Sequence, residues 1–253
     1  MKLGTGLATN QTRQHGNWSP AKLPGLFGTI YPALARLHGL LWQDIAKTVP
    51  AVTHLDPVRV AECPYTGHEF TAPSDNASPI LRDEGGGKWS LLFDGVDDNF
   101  VVSSPTAFPS GGAPVTIAAA VTPASVIGTQ MLTWITYAGG NAAIALSIRL
   151  GKYQAEKYGA SVLIQSSVMP MVDTPFRCVY SLLSGKSNFL SNGVPENVTT
   201  VDTNTGSPET LYVGQNSFSE IYSGRVSLIV YAASATTGAN LASLDALLAS
   251  VQP

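Results

Sequence analysis

Residues 93–102 place an acidic turn between two apolar runs, and this arrangement constrains the fold more than any other feature of the chain. Asp94, Asp97 and Asp98 supply the acidic side chains, while Gly95 can take the positive φ that a tight turn requires. Apolar runs that are bounded by turn residues in this way predict a strand, a turn and a second strand. The segment therefore favours a fold that is rich in β-structure.

Further strand-like runs come at steady intervals along the rest of the chain. We predict strands at residues 89–93, 99–103, 115–121, 130–137, 142–150, 160–165, 176–183, 187–190, 210–213 and 224–231. The Asn192-Gly193 pair predicts a two-residue hairpin turn with positive φ at both residues. Leucines recur at i, i+3 and i+7 within residues 239–250, which predicts a short terminal helix. Together these patterns predict an all-β fold, a two-sheet antiparallel sandwich.

The chain divides into a polar N-terminal arm at residues 1–37 and a sandwich domain at residues 38–253. Within the arm, residues 23–28 contain Pro and Gly and are predicted to be irregular, and the whole arm is expected to become ordered only on assembly. Residues 34–46 are predicted to form a short helix or the entry to a strand. Residues 56–88 contain four prolines and are predicted to be a long surface excursion with at most short edge strands.

Charge and cysteine content exclude several classes of protein. Only 12% of the 253 residues are charged, the net charge is −3 and the pI is about 5.7, which argues against a nucleic-acid footprint. No apolar run is long enough to span a membrane. Residues 1–18 hold no continuous apolar stretch, so we expect no secretory signal peptide. Cys63 and Cys178 are expected to be free thiols, with a single bridge as the alternative.

Several of these segments resemble the concanavalin A-like lectin/glucanase superfamily, and within it the laminin-G-like jelly rolls found in phage virion proteins. The resemblance covers residues 38–253 and rests on a Phe-Asp-Gly-x-Asp-Asp element at residues 93–98, an apolar strand that ends in Pro123, and a closing strand pair at residues 211–214 and 223–231. The Leu-Trp-Gln-Asp run at residues 41–44 resembles the opening of such sandwiches. The tryptophan that the family usually carries in the strand before Pro123 is missing here.

The resemblance implies a non-enzymatic protein at the virion surface, as a capsid decoration, a head spike or a tail-fibre component. The arm would attach to other virion proteins, the sandwich would face outward and could bind host cell-surface glycan, and we expect a homo-oligomer. Two alternatives stay open: a free carbohydrate-binding module, and a glycan hydrolase.

The sequence offers no catalytic residue that meets the needs of a glycan hydrolase. Retaining glucanases of this superfamily carry a Glu-x-Asp-x-x-Glu pattern that sets two carboxylates about 5 Å apart. That pattern is absent, and Asp83 and Glu84 are adjacent, so their side chains would point to opposite faces of a strand. We therefore predict that the protein is not an enzyme.

Two groups of residues are candidate binding sites. Asp94, Asp97 and Asp98 could hold Ca²⁺ through hard oxygen ligands, although we favour the alternative that they accept hydrogen bonds from turn amides, with no cofactor. Tyr153, Tyr158 and Gln154 form a candidate carbohydrate site, because the tyrosines flank a polar turn bounded by glycines, where a ring face could stack on a sugar. Core packing is the alternative for aromatic residues, and Trp89 and Trp134 are expected to fill the space between the sheets.

Overall fold

The chain folds into seventeen described strands and two described helices. The computed structural model describes residues 18–103, 105, 108, 113–138, 144–157, 162–182, 188–196, 198 and 207–253. The strands are β1 Leu26–Ile30, β2 Leu41–Trp42, β3 Val60–Glu62, β4 Glu69–Thr71, β5 Ile80–Gly85, β6 Lys88–Asp94, β7 Phe100–Ser103, β8 Val115–Pro123, β9 Gln130–Tyr137, β10 Ile144–Arg149, β11 Lys152–Lys157, β12 Val162–Gln165, β13 Phe176–Leu182, β14 Asn188–Ser191, β15 Val194–Pro195, β16 Pro208–Val213 and β17 Ser223–Ala232. The helices are α1 Pro32–Leu37 and α2 Gly238–Val251.

The strands form two antiparallel sheets that pack face to face. The first sheet has the order β15-β14-β13-β8-β17-β6-β5, with β1 paired to β17, and the second has the order β12-β11-β10-β9-β16-β7-β4-β3-β2. Strands that are distant in sequence lie side by side, as for β8 between β13 and β17. The predicted fold class, an antiparallel jelly-roll sandwich with a terminal helix, is confirmed.

Every residue of β8 is buried, because both faces of the first sheet are covered. Ile117, Ala119 and Val121 face the core between the sheets, while Ala118 and Ala120 face a second apolar layer. That layer is completed by one face of α2, which contributes leucines and Val251. Neither described helix packs on the central strands β9, β10 and β16 of the second sheet, so one sheet keeps an outer face that no helix covers.

The prediction of an irregular segment at residues 23–28 is wrong. Phe27 is 1% exposed and lies in the core between the sheets, and β1 pairs with the second half of β17. Pro24 and Gly25 do form a turn, but the apolar run that follows continues into the sheet. Trp18 packs against the apolar layer under α2, so the described part of the predicted arm belongs to the sandwich. Residues 1–17 lie outside the described residues, and attachment through them stays a prediction.

Two other segments differ from the prediction. Residues 56–88 form the expected short strands β3, β4 and β5, but Val58, Phe70 and Leu81 are fully buried, so this stretch is not a surface excursion. Residues 152–157, predicted to belong to a polar turn, form β11. The turn before β11 is only two residues long, Leu150 and Gly151, both with positive φ.

The described residues confirm two further expectations. Cys63 and Cys178 are buried free thiols, and burial raises the pKa of Cys178 to about 12. Asn192 and Gly193 have φ values of 48° and 81°, which confirms the predicted hairpin turn. A search of the described helices finds none long and apolar enough to cross a membrane.

Candidate functional site

The acidic turn lies where β6 passes into β7, and its carboxylates bond to its own backbone. Asp98 is 3% exposed and its Oδ2 accepts a hydrogen bond from the amide of Asp94 at 2.8 Å. Asp94 Oδ1 in turn accepts hydrogen bonds from the amides of Val96 at 2.7 Å and Asp97 at 3.3 Å. Gly95 has φ of +81°, and a Cβ there would lie 2.6 Å from the Cβ of Ser223. The turn therefore packs tightly on the start of β17.

Burial is the main reason that the pKa of Asp98 is raised, to about 6, with the nearby charges of Asp94 and Asp97 adding to it. One ligand oxygen from each of the three carboxylates lies within 4.8 Å of the others. Such a group has the hard oxygen donors that Ca²⁺ takes. Two of the carboxylates already accept hydrogen bonds from turn amides, as the favoured alternative predicted, and that accounts for their positions without a cation.

We expect chelation to leave the fold intact. Because turn amides bond to Asp94 and Asp98, dialysis against EDTA should leave the melting temperature within about 1 °C of its value in 1 mM Ca²⁺, since a ligand stabilises only the state that binds it. Differential scanning calorimetry in both buffers measures this. A Ca²⁺-dependent rise of several degrees, absent in Asp98→Asn, would instead establish cation binding.

The expected exposure of Tyr153 is corrected by the structure. Its side chain is 6% exposed and its ring stacks on Phe176, with centroids 3.3 Å apart and planes 3° apart. Tyr153 alternates along β11 with residues that point outward, and it points into the core between the sheets. Burial also raises the pKa of its hydroxyl. A ring in this position cannot stack on a sugar from solution.

The other two members of that candidate site have different positions. Gln154 is 2% exposed, lies on the outer side of β11 and donates from Nε2 to the carbonyl oxygen of Arg149 at 3.1 Å. Tyr158 lies outside the described residues, so its role stays a prediction. The structure therefore places Tyr153 and Gln154 on opposite sides of β11.

The outer face of the second sheet, on which neither described helix packs, carries a different set of side chains. Strand register places Tyr212 beside Trp134, Trp134 beside Ala145, and Ala145 beside Glu156. The neighbours of these residues along each strand, such as Leu211 and Ile135, belong to the core between the sheets, so the row points away from it. We call Tyr212, Trp134, Ala145 and Glu156 the cross-strand row.

The expectation that Trp134 fills the space between the sheets is therefore wrong, although the side chain is buried. It forms a small apolar cluster with Met131 and Ala145, separate from the main core, and half-buried Tyr212 packs against this cluster. Phe218, which is 72% exposed, approaches Trp134 edge to face with ring centroids 6.0 Å apart. Trp89, by contrast, packs against both apolar layers and lies 4.1 Å below the guanidinium of Arg36.

A polar group completes the row at its other end. Glu156 is 8% exposed, and its Oε1 accepts a hydrogen bond from Ser147 at 3.1 Å. Arg149 Nη1 lies 3.8 Å from the other carboxylate oxygen. Ala145 has only a methyl group between the indole of Trp134 and this carboxylate. The row therefore joins aromatic rings to a fixed carboxylate, hydroxyl and guanidinium across four strands.

Sequence reasoning did not find this row. The relevant signal was the alternation along β9, in which every second residue must face away from the core. Tyr212 and Glu156 each alternate with apolar residues in the same way, but nothing in the chain states that β16 lies beside β9. Their proximity depends on strand order, which local patterns do not encode.

Solved structures of low sequence identity share the fold of this chain. The chain is similar to domain 4 of AbnA, an extracellular arabinanase from Geobacillus stearothermophilus solved in complex with arabinotriose, with a TM-score of 0.60 and 14% identity over 88% of this chain and 98% of that one. It is also similar to Trypanosoma rangeli sialidase, with a TM-score of 0.57 and 16% identity over 85% of this chain. The match spans 33% of the sialidase chain. No protein-family model matches the sequence, and no curated protein does.

Proposed function

We propose that the protein binds carbohydrate, without hydrolysing it, at the outer face of its second sheet. The observation that carries this proposal is the cross-strand row, which sets aromatic rings beside a carboxylate on a sheet face that no described helix covers. Sugar sites combine a ring face with a few fixed polar groups in this way. The likeness to an arabinanase domain solved with arabinotriose supports the same class of ligand.

Tyr212 is the member of the row that a sugar can reach first. It is half-buried, and it is backed by Trp134, so its ring has little freedom to move. A ring held in place by packing loses little entropy when a ligand stacks on it. Tyr212 therefore supplies the stacking surface in the proposal.

Polar recognition is assigned to Arg149 and Glu156. The side chain of Arg149 is 40% exposed and lies beside the carboxylate of Glu156, which Ser147 also contacts. A guanidinium can donate to two neighbouring sugar hydroxyls, and a carboxylate can accept from them. Because these groups already contact one another, they need little rearrangement on binding.

Binding without hydrolysis follows from the surroundings of Glu156. Glycoside hydrolysis usually needs two carboxyl groups roughly 5 to 10 Å apart. In the row, Glu156 lies beside Ala145, which can act neither as an acid nor as a base. We expect no release of reducing sugar from any glycan that the protein binds.

The test is binding by variants of the row. Arabinotriose and a panel of immobilised glycans serve as probes, and calorimetry measures the affinity of any ligand found. Tyr212→Ala and Arg149→Gln should each weaken binding about tenfold or more, the size expected when a central contact is lost. Tyr65→Ala, which removes another half-buried tyrosine from the loop between β3 and β4, is the matched control and should bind normally.

Melting temperatures separate a lost contact from a lost fold. If Tyr212→Ala keeps its melting temperature and still binds as the parent does, the row is not the site. If the parent binds no glycan on the panel, the proposal of carbohydrate binding fails.

We further propose that the protein acts at a virion surface, in the setting that the sequence resemblance implies. The support is the pair of motifs at residues 41–44 and 93–98. Deletion of residues 1–17 alone leaves β1 in place and should abolish incorporation into particles if this segment attaches the chain. Immunogold imaging of particles with and without the deletion tests both placement and attachment, and unlabelled particles from the parent would exclude the virion setting.

A further inference from the structure

One end of the sandwich exposes an unusual number of apolar side chains on its loops. These loops are residues 95–99, 124–129, 150–151, 166–175 and 214–222, and together we call them the apolar loop end. Their exposed apolar side chains are Val96 at 69%, Ile127 at 83%, Leu150 at 84%, Met169 at 65%, Met171 at 60%, Val172 at 49% and Phe218 at 72%. Apolar side chains gathered in this way mark an interaction site more often than chance exposure.

Hydrogen bonds hold the central loops of this end together. The amide of Ala124 donates to the carbonyl oxygen of Ser223 at 2.9 Å, and the amide of Asp173 donates to that of Pro123 at 2.8 Å. Arg225 bonds to the carboxylate of Asp173 at 3.4 Å. These bonds already hold the loops in place. Binding a partner there would therefore cost little conformational entropy of the backbone.

Leu150 stands out within this end. It has φ of +51°, a left-handed conformation that is unfavourable for a residue other than Gly, Asn or Asp. Its side chain is 84% exposed and so gains almost nothing from packing within the chain. A strained leucine that is directed into solvent at a two-residue turn is readily explained if a partner covers it.

The exposed apolar side chains have basic residues on one side and acidic residues on the other. Arg149 and Lys152 border the turn at Leu150, whereas Asp94 and Asp97 border Val96 in the acidic turn. The first turn leaves β10 and the second enters β7, and β9 and β16 lie between those strands. Three strand spacings separate the two turns by about 14 Å. Ile127 and Phe218 come from loops that adjoin β9 and β16, between the two charged turns.

We propose that the apolar loop end is the interface of a two-fold symmetric dimer of this chain. A two-fold axis through the region of Ile127 and Phe218 would bring the basic turn of one protomer onto the acidic turn of the other, twice. Such an interface is self-complementary, as symmetric dimers require, and a positive and a negative patch on one surface favour a second copy over a partner of uniform charge. Leu150 and Val96 are buried together at each of the two charged contacts.

Charge reversal tests the pairing that the symmetry demands. In analytical ultracentrifugation, Lys152→Glu and Asp97→Lys should each raise the dimer dissociation constant about tenfold or more, because each puts like charges together twice. An equimolar mixture of the two variants should form a heterodimer with near-parental affinity, since both of its contacts then pair opposite charges. The double variant Lys152→Glu/Asp97→Lys should also recover self-association.

Leu150→Asn provides an independent test. Asparagine suits the left-handed position better than leucine, so this variant should melt at the parental temperature or higher while its self-association weakens about tenfold or more. A destabilised fold cannot explain that combination. Leu37→Asn, at an exposed apolar residue on α1 outside the defined loops, is the control and should dimerise normally.

The proposal is overturned if the parent chain stays monomeric up to about 1 mM, where even weak association is populated. It is also overturned if a dimer forms that neither charge reversal nor Leu150→Asn weakens, because the interface then lies elsewhere. Flotation with neutral phosphatidylcholine vesicles tests whether lipid binds to this end instead. Binding to vesicles that depends on Leu150, by a chain that remains monomeric, would assign the apolar loop end to lipid instead.

Discussion

Replacing Phe27 with alanine is expected to lower the free energy of unfolding by about 3–5 kcal/mol. The ring is 1% exposed and packs edge to face on Phe108, with centroids 5.4 Å apart, and against His68 at 4.4 Å. Removing it leaves a cavity between the sheets, next to the pairing of β1 with β17. Urea unfolding followed by fluorescence gives the free energy of unfolding directly.

Lys22→Ala is the control, because Lys22 is exposed in the same N-terminal segment and its removal should change stability by less than about 0.5 kcal/mol. If Phe27→Ala proves as mild as Lys22→Ala, β1 contributes nothing to the fold and the segment is an arm after all. The large effect expected for Phe27→Ala limits which deletion can test attachment of the chain to particles. A deletion that reaches residue 30 removes β1, so only a deletion confined to residues 1–17 can separate attachment from stability.

Replacing Asp98 with asparagine is expected to change the pH dependence of stability. Burial raises the pKa of Asp98 to about 6, above its value in the unfolded chain, so the folded state holds more protons than the unfolded state between about pH 4 and pH 6. The stability contributed by the neutral form is complete below pH 4 and is lost as the pH rises through 6. A difference of about two pKa units corresponds to at most about 3 kcal/mol.

Asparagine carries no charge and can still accept the amide hydrogen of Asp94 through its own side-chain oxygen. The variant should therefore match the parent at pH 4 and exceed its free energy of unfolding by up to about 3 kcal/mol at pH 7.5. Asp97→Asn, at an exposed neighbour in the same turn, should give a difference of less than about 0.5 kcal/mol. A stability difference for Asp98→Asn that does not grow between pH 4 and pH 7.5 would show that the buried carboxylate is not the titrating group.

Much of the fold could be predicted because its strands carry strong local signals. The strand predicted at residues 130–137 coincides with β9, and the Asn-Gly turn has the backbone conformation that its residues favour. The segments that were predicted wrongly have local sequence patterns that are typical of a different structure. Residues 152–157 contain Lys, Gln and Glu, which suggest a loop, yet they form β11 because its polar side chains lie on the outer face of the second sheet.

The sequence alone determined the β-rich architecture, the hairpin turn at Asn192 and Gly193 and the terminal helix, because alternation and turn residues act over a few positions. Only the tertiary structure decided that Tyr212, Trp134, Ala145 and Glu156 share one row, that Tyr153 turns inward, and that Leu150 and Val96 lie at the same end. Strand order and register decide these placements. They depend on packing between residues that are far apart in the chain, and no local pattern carries that information.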